Sequence, residues 1–199
     1  NECNKKFPLI IFFHGGGFAV GEKMEHPNFD LLRAGFAFSS INYRLIPENN
    51  FPDYLHDAKA AIRWFRGNSE EVKIDTAKIG IYGESAGGAL TSYLAFTNGV
   101  NEVEIDENII DVEGNIGSNK NESSEINGAI NYFGHADSEM FCDLKKGLDP
   151  NCEDTSDFCH SCTSPISYIG NGSSVPYMII HGTDDNVVPY IHGEMLNDK

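Results

Sequence analysis

Gly83-Glu84-Ser85-Ala86-Gly87 lies between a short apolar segment, Lys78 to Tyr82, and a run of small and apolar residues, Ala86 to Thr97. The segment reads as a strand and the run as a helix, so the serine sits on a tight strand-to-helix turn. Such a turn forces the hydroxyl up and out of the sheet. Glycines on either side leave room for a strained backbone and for close packing of strand on helix. The amino end of the helix adds partial positive charge beside the hydroxyl. The bare G-x-S-x-G pattern arises by chance in many chains, and a plain glycine-rich turn is the bland alternative. The strand-to-helix context argues against it.

The rest of the chain repeats the same alternation. Lys6 to Phe13, Gly35 to Tyr43, Gly128 to Phe133 and Pro176 to His181 read as short apolar strands. Asp53 to Phe65 carries Leu55, Ala58, Ala61, Ile62 and Phe65 at helical spacing, with Pro52 just before it. Strands alternating with helices predict an α/β fold, a mostly parallel sheet with helices on both faces. Reactive groups then gather beyond the carboxyl ends of the strands. Residues 1–199 read as a single domain. A polar, Gly- and Asn-rich stretch around 98–127 reads as an irregular surface insertion, and a Cys-rich segment occupies 142–162.

Charge and length exclude several partners. A net charge of −16 argues against nucleic acid and anionic membrane surfaces. The acidic residues concentrate between Asn98 and His160, which suggests a solvated insertion more than an acidic site. The longest apolar run, Leu9 to Phe13, has the length of a buried strand and falls far below the ~18 residues of a membrane span. Cys142, Cys152, Cys159 and Cys162 crowd one segment, with Cys3 apart. Disulfides, free thiols and a zinc site using Cys152, Cys159, His160 and Cys162 all fit that pattern. With the glycosylation-type triplets at Asn121 and Asn171, the cysteines lean toward a secreted, oxidising setting.

Two further motifs follow strands. His14-Gly15-Gly16-Gly17-Phe18 lets main-chain amides converge on one atom without Cβ obstruction. That is what a tetrahedral oxyanion needs, and Gly16, Gly17 and Ala86 are assigned as its donors. A phosphate-binding glycine loop is the rival, but no Lys-Ser/Thr follows and the G-x-G-x-x-G spacing is absent. The other motif, His181-Gly182-Thr183-Asp184-Asp185-Asn186-Val187-Val188-Pro189, offers a carboxylate to orient a histidine base for Ser85. Spacing alone does not separate Asp184 from Asp185. His14 reads as a loop-stabilising residue, and Phe18, Tyr43 and Phe133 as pocket walls or plain core.

These motifs, with Asn42-Tyr43-Arg44-Leu45-Ile46-Pro47-Glu48 and Phe51-Pro52 between them, resemble the hormone-sensitive-lipase-like and related bacterial esterase families of the α/β-hydrolase fold. The resemblance spans nearly the whole chain apart from the acidic insertion and the Cys-rich segment. It implies hydrolysis of carboxylic esters, carbohydrate-linked ones included, with short to medium acyl groups. By it Ser85 is the nucleophile, Gly16, Gly17 and Ala86 form the oxyanion hole, and Asp185 is the triad acid. Arg44 and Glu48 take structural positions. No metal and no organic cofactor is implied, and the partner is a small-molecule ester. In those families the base histidine follows the acid by some tens of residues, so it is expected beyond Lys199. The strands that usually precede Lys6 are likewise expected to be absent, and the chain alone is expected to be nearly inactive. His192, the one histidine after Asp185, is expected on a helix facing away from Ser85. The rival readings are a serine peptidase of related fold and a non-catalytic binding protein on a hydrolase scaffold.

Overall fold

The computed structural model describes residues 5–24, 28–140 and 161–199. β1 (Phe7–Phe13), α1 (Phe29–Arg33) and β2 (Ala37–Ile41) make the first crossover. α2 (Asp53–Gly67) and α3 (Ser69–Val72) lead back to β3 (Ile74–Glu84), and α4 (Ala86–Phe96) follows at once. A hairpin of β4 (Glu102–Ile105) and β5 (Asn108–Asp111) precedes β6 (Gly128–Tyr132). β7 (Tyr177–Ile180) and α5 (Ile191–Asn197) complete the described elements. The main sheet runs β2-β1-β3-β6-β7, with every neighbouring pair parallel. The carboxyl ends of β1, β3, β6 and β7 therefore share one edge, and all three motifs start there.

Alternation along the strands separates two faces. Leu9, Ile11, Ile79, Ile81 and Ala129 are buried on the face that α4 covers, with α2 packed on α4. Burying a Leu or Ile side chain stabilises the fold by roughly 1.5–3 kcal/mol, so this face supplies most of the core energy. On the opposite face α1 packs beside β2, and Ile10, Tyr82, Ile130 and Met178 line an open apolar groove of about 500 Å³. Helices thus flank both faces, unequally among the described residues.

In α2 the buried side is Tyr54, Leu55, Ala58, Lys59, Ile62 and Arg63. The expected Ala61 and Phe65 are only partly covered, because two cations take their place at the core. The Lys59 ammonium, 1% exposed, donates to the Thr97 and Val100 carbonyls at 3.0 and 3.3 Å and pairs with Glu113 at 3.2 Å. Arg63 also pairs with Glu113 and donates to the Ile116 carbonyl at 3.0 Å. Burial pushes the Lys59 ammonium below its usual pKa, and Glu113 opposes that shift.

These contacts correct the expectation of an irregular surface insertion at 98–127. Glu102-Val103-Glu104-Ile105 alternates charged and apolar residues, and Val103 and Ile105 are buried with Val112 and Ile126 in the main core. The hairpin turns at Asp106 and Glu107, both with positive φ (49° and 66°). Such turns usually advertise themselves with Asn-Gly or Asp-Gly, which explains why the strand pair is hard to read beforehand. Cys162, buried, is disulfide-bonded. The other four cysteines, with most of the Cys-rich segment and His26 and His160, lie outside the described residues.

Candidate active site

The elbow is made by the main chain. β3 ends at Glu84, Ser85 takes φ 55° and ψ −118°, and α4 begins at Ala86. A non-glycine residue at positive φ carries strain of about 1–3 kcal/mol, tolerated only where surrounding structure dictates it. Here the Ser85 N–H donates to the Tyr132 carbonyl at 2.9 Å, and the Ser85 carbonyl accepts from Ala89 N–H at 3.0 Å. Gly87 is obligatory, since a methyl there would collide with the Phe13 carbonyl and lie 2.6 Å from the His14 carbonyl oxygen. The first turn of α4 therefore rests on the end of β1, where the glycine loop departs.

That loop lies against the elbow. A Cβ placed on Gly15 would sit 3.3 Å from the Ser85 Cβ and 3.1 Å from the Glu84 carbonyl. Gly16 (φ 118°) and Gly17 (φ 62°) then turn the chain, with the Gly16 carbonyl accepting from Ala19 and Val20 N–H at 3.0 and 3.1 Å. The main-chain N–H groups of Gly16, Gly17 and Ala86 donate to no group among the described residues. Gly15, next to two of these amides in the chain, is the loop residue that lies against Ser85, and unpaired amides are the groups that can hold developing negative charge.

Aromatic side chains hold the loop in place. The Tyr43 hydroxyl donates to the His14 carbonyl at 2.6 Å, and the two rings stack at 4.3 Å and 10°. Burial raises the Tyr43 pKa, so the phenol stays a neutral donor. The His14 Nδ1 lies 2.7 Å from the Gly15 carbonyl, in keeping with a loop-stabilising role. Phe18, at φ 60°, stacks on Tyr54 at 4.1 Å and accepts at its carbonyl from Ile46 N–H at 2.9 Å. Phe18 and Tyr43 are buried members of the core. Arg44 binds Asp53 and Asp57 at 2.9 Å each, clamping its loop to the start of α2.

The third motif follows β7, two strands away on the same sheet edge. The geometry separates the two aspartates: Asp184 is exposed, whereas Asp185 is partly buried and accepts at Oδ1 from Val187 and Val188 N–H at 2.8 and 2.9 Å. No described histidine is hydrogen-bonded to the Ser85 hydroxyl. His192 does lie on a helix, α5, where it is buried and its Nδ1 accepts from Ala136 N–H at 3.3 Å. Burial lowers its pKa to about 4, and that of nearby His135 to about 3, so both are neutral near pH 7. Among the described residues no group of three His, Cys, Asp or Glu side chains is arranged to hold a metal ion. Tyr54 and His181 are the neighbours that sequence patterns gave no role at the site, whereas Tyr43, a candidate pocket wall, is buried in the core. Their relevance comes from contacts between distant segments.

A family model described as BD-FAE matches residues 1–199, the whole chain. The chain belongs to the BD-FAE family. Esterase LipI of Mycobacterium tuberculosis is 35% identical over 91 residues, 44% of this chain and 28% of LipI. The solved structure titled "Truncated form of carbohydrate esterase from gut microbiota" superposes with a TM-score of 0.83 at 28% identity, covering 98% of this chain and 73% of that one. Thermogutta terrifontis esterase 2, solved as phosphoramylated by tabun, gives a TM-score of 0.69 at 25% identity over 98% of this chain and 69% of its own. The fold of this BD-FAE chain is that of an α/β-hydrolase. The chain spans less than a third of the curated relatives it matches.

Proposed function

We propose that this BD-FAE chain carries the nucleophile, oxyanion hole and acid of a serine esterase, and that its substrates are carboxylic esters of carbohydrates with short to medium acyl groups. One observation carries the reading. The Ser85 elbow and the glycine loop are in contact, and three unpaired N–H groups, on Gly16, Gly17 and Ala86, belong to them. The carbohydrate part rests on likeness to the gut-microbiota carbohydrate esterase at 28% identity.

The reaction is acyl transfer in two halves. The Ser85 oxygen forms a bond to the ester carbonyl carbon while a histidine base takes the hydroxyl proton. The carbonyl π pair moves onto oxygen, where the three amides hold it. Each such donor contributes about 3 kcal/mol of transition-state stabilisation. Collapse breaks the carbon–alkoxy bond, and the alcohol leaves with the proton from the histidine. Water then repeats the sequence on the acyl-enzyme and frees the acid. Asp185 Oδ2, which accepts no hydrogen bond among the described residues, pairs with the base and fixes its tautomer. The base is a histidine outside the described residues, since His14, His56, His135, His181 and His192 have other partners.

The test is hydrolysis of p-nitrophenyl acetate and of acetylated and feruloylated xylo-oligosaccharides by the full-length gene product and by Ser85→Ala. Activity is expected on all three for the parent and on none for the variant. Equal rates for parent and variant would remove the esterase reading. Activity on the phenyl ester alone would remove the carbohydrate part.

A further inference from the structure

His181 closes the loop that carries Asp185. Its side chain is 2% exposed, and its Nε2 lies 2.7 Å from the Val188 carbonyl oxygen. A carbonyl only accepts, so Nε2 bears the proton and donates. Val188 is thereby gripped on both sides, its carbonyl by His181 and its N–H by Asp185 Oδ1 at 2.9 Å. The same Nε2 stands 3.7 Å from Asp185 Oδ2, too far for a hydrogen bond but near enough to bias the carboxylate's rotation. The other ring nitrogen, Nδ1, is buried and makes no hydrogen bond among the described residues. Leaving a buried polar atom unpaired costs about 1–3 kcal/mol, so the ring is not placed there for stability alone. Tyr190 meets the ring edge-on at 5.8 Å, and Gly193 of α5 leaves it space: a Cβ there would fall 3.0 Å from Nδ1.

We infer that His181 is a positioning residue for Asp185: it holds the His181–Val188 loop shut so that Oδ1 is spent on the main chain and Oδ2 faces the base. The inference rests on Asp185 being the triad acid. His181 makes no hydrogen bond with Ser85, and it acts only through the carboxylate.

The experiment is a double-mutant cycle on the full-length protein, His181→Phe against Asp185→Asn, reading kcat and KM for p-nitrophenyl acetate. His181→Phe keeps a flat ring and loses the donor, and kcat is expected to fall about 10- to 100-fold with KM within twofold. His181→Gln, which restores an N–H near the Nε2 position, is expected to return kcat to within a few-fold of the parent. In the Asp185→Asn background His181→Phe is expected to change kcat by less than twofold. Gly193→Ala presses a methyl on the ring and gives a second route if His181→Phe does not fold: the same kcat loss, again absent beside Asp185→Asn. Losses that multiply fully in the double variants overturn the inference and leave Asp185 in its role. So does a folded His181→Phe with parental kcat. An Asp185→Asn variant as active as the parent removes both.

Discussion

The Ser85 elbow and the Asp185 loop occupy the same edge of the sheet, yet different forces shape them. At the elbow the backbone decides. Ser85 is strained to positive φ between a hydrogen bond to β6 and a helix that rests on the end of β1, and glycine at 87 is enforced by collision with carbonyl oxygens. At the Asp185 loop side chains decide. A carboxylate caps two N–H groups, a buried imidazole ties off the far end, and a short helix with two neutral histidines nearby packs behind. A site fixed by main-chain geometry tolerates little change in covalent structure and little movement. A site fixed by side chains responds to their chemistry, including protonation.

The largest effects test whether both halves belong to one reaction. Ser85→Ala is expected to lower kcat roughly 10⁶-fold, and Asp185→Asn roughly 10⁴-fold, in p-nitrophenyl acetate assays of the full-length protein. Asp184→Asn is expected to stay within twofold of the parent, since that carboxylate is exposed and outside the loop's bonding. A loss at Asp184 equal to that at Asp185 would break the proposed assignment of the acid to Asp185.

Gly87→Ala probes the elbow's backbone. The added methyl cannot be relieved by a side-chain rotation, because the atoms it meets are the main-chain oxygens of Phe13 and His14. A destabilisation of about 3 kcal/mol is expected, read as a lowered midpoint in urea unfolding. A stability within 0.5 kcal/mol of the parent, the range usual for surface changes, would mean that α4 and β1 are not in the contact described.

This contrast also explains what could be read beforehand. Gly83 to Gly87 and His14 to Gly17 are local patterns whose physical demands, room for strain and close approach, are met by residue type alone, so elbow and loop were legible. β1 to β3, α2 and α4 were legible for the same reason, through period and punctuation, although β3 extends back to Ile74 and β2 is shorter at both ends than expected. Spacing left Asp184 and Asp185 open and the family resemblance pointed to Asp185; the coordinates add that Asp185 is the carboxylate that reaches two amides. Lys59 and Arg63 were not legible as core. Nothing in α2 announces that Glu113, fifty residues on from Arg63, returns to pair with them. The alternation from Glu102 to Ile105 was a signal of the hairpin, masked by the polar composition around it.

Acid should strike the two halves unequally. His192 is buried on α5, which follows the Asp185 loop, and His135 is buried between His192 and Phe18; burial lowers their pKa values to about 4 and about 3. In the unfolded chain both titrate near 6.5, so below that pH the unfolded state binds more protons and stability falls. The decline runs from about pH 6.5 down through the folded values, and stability is greatest above this window. Between pH 6.5 and 5, His192 alone accounts for on the order of 1–2 kcal/mol. Thermal unfolding of the parent and of His192→Gln should show a shallower pH dependence in the variant over that interval. Hydrogen exchange at pH 5 should show 181–197 opening before 83–96. Parallel slopes, or the elbow opening first, would break the comparison.

The smallest expected effect lies at the join between the elbow and the sheet. Tyr43→Phe keeps the ring that stacks on His14 and removes only the hydroxyl that donates to the His14 carbonyl at 2.6 Å. A buried hydrogen bond of this kind is worth about 1 kcal/mol net, so stability should drop by about that amount. The catalytic consequence is more telling. The His14 carbonyl marks the start of the glycine loop, and its displacement would move the Gly16 and Gly17 amides away from the oxyanion while leaving ground-state binding intact. The expected signature is therefore a several-fold fall in kcat with unchanged KM, read from initial rates across substrate concentrations. A rise in KM at constant kcat would place Tyr43 in substrate binding instead.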